Sequence, residues 1–168
     1  DADMVFNTPE FKTNIEEDSP LNSFITSLYS IERVMFFLQY GIMYLDGETP
    51  QRHIMRYPQF FASKRIKEKL EQGDKSGIIW HTQGSGKTAL AAYANRVVKD
   101  YYAKQGIVAR FFFVVDRLDL LTQSSNEFSS RGFTVTTVNS KSEFAKELDR
   151  PRSLSMDKNS IGEFCVVN

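Results

Sequence analysis

The sequence predicts an α/β fold built on a parallel sheet, and three observations carry that expectation. Short apolar, β-branched or aromatic runs alternate with segments of helical spacing. The connections between them are short, as in crossover units that return each strand parallel to the last. A glycine-rich loop, Thr82-Gln83-Gly84-Ser85-Gly86-Lys87-Thr88, joins one of the apolar runs to the helical segment that follows it.

Residues 1–20 are polar and acidic and include Pro9 and Pro20, which reads as a linker or domain edge. A helical stretch is expected from about Leu21 to Gln39, with a break near Ser30. Ser30 would cap Ile31 to Gln39 and Gly41 would end the helix. Asp46-Gly47-Glu48-Thr49-Pro50 is turn chemistry. The next helix begins near Tyr57-Pro58, since proline is tolerated in a first turn whose N–H would be unpaired anyway. Phe60, Ile66 and Leu70 share one face of it, and the run from Gly73 to Gly77 closes it.

From there strands and helices alternate. Gly77 to Trp80 reads as a strand and Lys87 to about Tyr102 as a helix. Ala109 to Val115 reads as a strand buried on both faces. Arg117 to about Ser129 is helical, Thr134 to Val138 a strand, Ser142 to Leu148 helical, and Phe164 to Val167 a last strand. The chain opens on Asp1 and its final residues read as a strand, so both ends are expected to be cut from something longer.

Composition sets bounds. Hydrophobic residues make up 41% of the 168 and aromatic residues 13%, enough for a packed core and too much for a disordered chain. The single cysteine, Cys165, excludes an intrachain disulfide framework and a cysteine-based zinc site, and suggests a reducing, cytoplasmic setting. No secretory signal is read at the start. The most apolar run, Val34 to Leu45, is too short for a bilayer, which needs roughly 20 residues.

Total charge is balanced, but its distribution is not. Residues 1–50 hold 2 basic and 9 acidic side chains, residues 51–110 hold 12 and 4, and residues 111–168 hold 7 and 8. The basic block coincides with the glycine-rich loop and its approach, which suits a polyanion. It reads equally well as a solvated helix face, because Lys64, Arg65, Lys67 and Lys69 alternate with Glu68 and Glu71 at helical spacings.

The loop carries the chemistry. Gly84 and Gly86 allow backbone conformations that side chains forbid. Successive N–H groups can then cradle phosphate oxygens at the positive end of a helix. Lys87 reaches the β- and γ-phosphates of a nucleoside triphosphate, and the Thr88 hydroxyl completes an Mg²⁺ shell. Gln83, Gly84, Ser85, Gly86, Lys87 and Thr88 are therefore the expected ATP contacts, with Lys87 and Thr88 acting on the reacting phosphates. The strict loop pattern has a first glycine where this sequence has His81, so only the shorter form is present. His81 itself is read as a packing residue in preference to a catalytic one.

Three other features are set lower. Asp3 with Glu10-Phe11-Lys12 superficially matches a metal-dependent nuclease set, but its flanks are loop-like. Cys165 sits in an apolar run without a basic partner and reads as an inert thiol. Phe111, Phe112 and Phe113 read as core in preference to a base-stacking platform.

The stretches Gly77 to Thr88 and Phe113 to Gln123 resemble successive motor motifs of the R subunit of type I restriction enzymes. Met55 to Ala62 resembles that family's Arg-x-x-Gln segment, and Phe164 to Asn168 the start of its Val-Val-Asn strand. The four landmarks stand in the family's order over residues 55–168. The resemblance implies a superfamily-two, helicase-like translocase with RecA-like domains. On it, residues 55–168 are the first part of motor domain 1, and residues 1–54 lie between nuclease and motor domains. It further implies that Gln59 reads the adenine edge, that Arg56 supports that segment, and that Asp116 and Arg117 contact the DNA backbone. Arg117 also reads as a helix-start residue held by a salt bridge. Double-stranded DNA and the modification (methyltransferase) and specificity subunits are the implied partners, with no membrane.

The sequence stops before the family's Asp-Glu-Ala-His segment and second motor domain, so this chain alone is expected to bind nucleotide weakly and hydrolyse it negligibly. A generic superfamily-two motor without nuclease is the alternative reading. A P-loop kinase is a further one, in which Gln59 and Asp116-Arg117 would have no role.

Overall fold

The computed structural model describes residues 25, 29–45, 49, 51–150 and 162–168. The chain divides into two compact units, Asp1–Gln39 and Tyr40–Asn168. Helix α1 (Ile31–Tyr40) follows Ser30 directly, and its first helical bond runs from the Val34 N–H to the Ser30 carbonyl at 2.9 Å. Gly41 follows its end, where the sequence places a stop. The expected helix before Ser30 and the acidic segment 1–20 lie outside the described residues, apart from Ile25 and Tyr29.

Within the second unit, β1 (Ile42–Leu45) and β2 (Gln51–Ile54) pair antiparallel, with Ile42 opposite Ile54 and Leu45 opposite Gln51. The sequence reading marks the turn between these strands, most of which lies outside the described residues, but not the strands themselves. Gln51-Arg52-His53 has no apolar alternation to announce a strand. Arg96 fixes the root of the hairpin by donating to the carbonyls of Tyr40 and Ile42.

Helix α2 (Tyr57–Glu71) starts with Pro58 in its first turn. Helix α3 (Lys87–Ala103) packs on α2 and buries Leu90, Ala92, Tyr93, Asn95 and Val97. Then come β3 (Phe112–Val114), α4 (Leu118–Ser129), β4 (Thr134–Val138), α5 (Lys141–Asp149) and β5 (Glu163–Val167). The three strands form one parallel sheet in the order β3-β5-β4, with Cys165 of β5 opposite both Phe112 and Thr136. This α/β arrangement is that of a partial RecA-like domain.

Strand alternation sends the side chains of β5 to opposite faces. On one face Phe164 stacks on Phe128 of α4, with centroids 3.9 Å apart and planes 8° from parallel. Phe113 and Phe133 meet the same cluster edge-on, and Phe111 lies tilted against Phe164. On the other face Cys165, Val167 and Val138 pack with Phe112 and with Phe144 of α5. Phe111 to Phe113 are therefore core, as the sequence suggests, split between both faces. Cys165 is a buried free thiol, and burial pushes its pKa up, with Glu147 adding to the shift.

Two expectations are corrected. Gly77 to Trp80 forms no strand: Ile78 is 92% exposed and Trp80 91%, and the segment pairs with no strand among the described residues. Apolar composition alone does not make a strand, because the backbone needs a ladder partner. The run Ala109 to Val115 is not buried on both faces along its length. Only Phe112–Val114 is strand, it lies at the edge of the sheet, and Val114 is 69% exposed. The strand buried on both faces is β5, the central one.

Candidate nucleotide site

The glycine-rich loop is built as the sequence requires. Gly84 and Gly86 take positive φ, 76° and 81°, and Gly86 is the residue from which α3 departs. The first turn of α3 holds no carboxylate, so no acidic side chain of that turn offsets the positive pole of the helix. The N–H groups of Gly86, Lys87 and Thr88 have no acceptor among the described residues. These are the orphan donors every helix start leaves, and here they are collected beside an exposed lysine. The residues present thus fit a polyphosphate.

Lys87 folds back over the loop, its Nζ donating to the carbonyls of His81 at 3.2 Å and Thr82 at 2.9 Å. The Ser85 N–H also reaches the Thr82 carbonyl, at 3.3 Å. The ammonium therefore sits across the loop on neutral acceptors that an anionic oxygen would outcompete. His81, standing where the strict pattern has glycine, serves the loop through its carbonyl. Thr82, Gln83 and Gly84 are exposed, while Ser85, Gly86 and Thr88 are half-buried.

Gln59 and the loop are brought together, and sequence spacing alone gives no sign of how. Gln59 is buried, only 4% exposed, in the first turn of α2. Its Oε1 accepts from the Arg56 N–H at 2.9 Å, pairing one donor at that helix start. Its Nε2 faces two loop carbonyls, Ser85 at 3.4 Å and Gly86 at 3.3 Å. A base edge read by this amide would have to take over donors now turned to the loop. Arg56 supports the segment through its backbone, with its side chain exposed.

Asp116 and Arg117 lie just past the end of β3 and are exposed. Arg117 grips Asp119 with two bonds, Nε to Oδ1 at 3.1 Å and Nη2 to Oδ2 at 2.7 Å. The guanidinium beside it holds the Asp119 carboxyl below the usual range. The basic face of α2 is largely paired internally, through Arg65–Glu68, Lys67–Glu71 and Lys69–Asp74. The acidic set with Asp3, Glu10 and Lys12 lies outside the described residues. Among the described residues no helix is long and apolar enough to cross a membrane.

Residues 58–158 match the family model described as SWI2/SNF2 ATPase, covering more than half of the chain. A protein of Methanocaldococcus jannaschii named as a type I restriction enzyme endonuclease subunit is 35% identical over 107 residues, 60% of this chain and 10% of that protein. The type I restriction enzyme SsaAORF53P endonuclease subunit of Staphylococcus saprophyticus is 33% identical over 96 residues, 56% of this chain and 10% of its own length. The HindI endonuclease subunit of Haemophilus influenzae is 28% identical over 123 residues, 67% of this chain and 11% of its own. The chain thus spans about a tenth of the length of these curated relatives. It belongs to the SWI2/SNF2 ATPase family and matches part of the endonuclease subunits of type I restriction enzymes.

Proposed function

We propose that this chain is the ATP-binding part of the DNA-translocating, DNA-cleaving subunit of a type I restriction endonuclease. The observation that carries the reading is the loop: unpaired N–H groups of Gly86, Lys87 and Thr88 beside the Lys87 ammonium, at a helix start free of carboxylates. Gln83, Gly84, Ser85 and Gly86 would line the phosphates, Lys87 would neutralise the β- and γ-oxygens, and Thr88 would offer its hydroxyl to Mg²⁺. The Mg²⁺ brings charge neutralisation to the phosphates when it is bound. Gln59, supported by Arg56, would meet the adenine by exchanging a loop carbonyl for the base.

In the whole protein, ATP turnover would drive movement along double-stranded DNA, with Arg117, beside Asp116, offering a phosphate contact once it leaves Asp119. The modification and specificity subunits would complete the complex, and sequence recognition would belong to the latter. The single buried thiol suits a reducing, cytoplasmic compartment. The test is ATP hydrolysis by the intact protein with and without duplex DNA. Stimulation by duplex, lost in Lys87→Ala, supports the motor. Turnover that ignores DNA and instead needs a small phosphate acceptor would replace this reading with a kinase.

A further inference from the structure

The Gln59 amide touches the loop directly, and its geometry gives it a second task. The orientation of the amide is fixed by its neighbours. Reversed, its oxygen would face two carbonyl oxygens and its NH₂ would face the Arg56 N–H. The Gly86 carbonyl also accepts from the Leu90 N–H at 2.9 Å, so the helix holds it independently. Among the described residues the Ser85 carbonyl has no other donor than Gln59. In a planar trans peptide the C=O and the following N–H point in opposite directions. Holding the Ser85 carbonyl toward Gln59 therefore turns the Gly86 N–H away from it, and that N–H is one of the loop's unpaired donors. The fit is close: a Cβ on Gly86 would lie 2.4 Å from Gln59 Nε2, so only glycine lets the amide approach.

We propose that Gln59 is a positioning residue for phosphate binding, setting the direction of the Gly86 N–H through the Ser85 carbonyl. This rests on the nucleotide-site reading above and goes beyond it, because the task is independent of the base. At 3.3–3.4 Å the contacts are long, so the latch is soft and its effect modest. Arg56 joins the same line of contacts through its N–H, which keeps the Gln59 oxygen turned from the loop. The approach segment of α2 and the phosphate loop, 26 residues apart in sequence, then act as one unit.

Inorganic tripolyphosphate with Mg²⁺ is the probe, since it carries the phosphates without a base. Its binding and that of Mg²⁺·ATP are measured by calorimetry on the unsubstituted protein, on Gln59→Met, which keeps the length and loses the donors, and on Gln59→Glu, which sets an anion against two carbonyls. Thermal melts without ligand report folding. We expect both variants to bind tripolyphosphate about three- to tenfold more weakly, the loss of one modest hydrogen bond's worth of orientation. Unchanged tripolyphosphate affinity with weakened ATP binding would overturn the proposal and leave Gln59 a base contact only. If the unsubstituted protein binds neither ligand, the nucleotide-site reading fails and this inference with it. A second measurement needs no variant: the Gln59 side-chain NH₂ resonances should shift when tripolyphosphate binds. Resonances that stay still would contradict the latch.

Discussion

At the scale of single residues, two neighbours in the loop should behave in opposite ways. Gly86 is held at a φ of 81°, where a side chain is strained, and a Cβ there, 2.4 Å from Gln59 Nε2, would force that amide to move. Gly86→Ala should therefore cost about 1–3 kcal/mol of folding stability, read by urea denaturation, as well as phosphate binding. Lys87 is exposed, and its partners are carbonyls that water can serve. Lys87→Ala should leave the urea midpoint within about 0.5 kcal/mol of the original while removing the triphosphate site. Both residues are legible from sequence because their chemistry is local: a positive φ and a charge at a helix start. Gln59 is legible as a residue of interest only through family resemblance. Its hold on Ser85 and Gly86 depends on how α2 is set against α3, and no local pattern encodes that. Arg117 keeps both of its readings. The salt bridge with Asp119 is present, and a solvent-exposed pair of this kind is weak enough to exchange for a phosphate.

At the scale of elements, helix ends and strand pairing tell different stories. Helix α4 ends as its sequence dictates: Gly132 takes a φ of 78°, its N–H bonds the Ser129 carbonyl, and the Phe133 N–H bonds that of Phe128. Phe128 and Phe133 then touch across that turn. Phe128 is fully buried and stacked on Phe164, so Phe128→Ala should cost about 3–5 kcal/mol, measured by denaturant titration. Helix α3 carries a pH-dependent contact. Burial pushes the Asp100 carboxyl up, but the hydrogen bonds from Lys104 and Tyr40 and nearby lysine charge outweigh it and hold the pKa below the ordinary value. A depressed carboxyl stabilises the fold above its unfolded pKa and loses that contribution as pH falls through the folded one. Stability should therefore drop on acidification below about pH 4, and Asp100→Asn should flatten that part of the profile. Strands were the less legible elements. Their apolar runs are visible, but whether a run becomes a strand depends on a partner, which is why 109–115 shrinks to three residues and the hairpin at 42–54 escapes notice.

At the scale of the molecule, the parallel α/β plan was readable from the alternation of elements, and the strand order β3-β5-β4 was not. That order arises from which apolar face packs where, with Phe164 and Cys165 facing opposite layers. The approach to the loop is the part that departs most from expectation. Ile78 and Trp80 are almost wholly exposed, and Trp80 is the only tryptophan. Its fluorescence should be that of a water-exposed indole, readily quenched by iodide and little changed by urea. A blue-shifted, protected emission in the folded chain would show that this segment is covered. The functional account, by contrast, stands on the loop and needs no strand at 77–80. Its most direct test is calorimetric titration of Mg²⁺·ATP into the unsubstituted chain and into Lys87→Ala. The account predicts weak, saturable binding by the first, reduced at least about tenfold in the second. Equal binding by both would place the nucleotide elsewhere and contradict it.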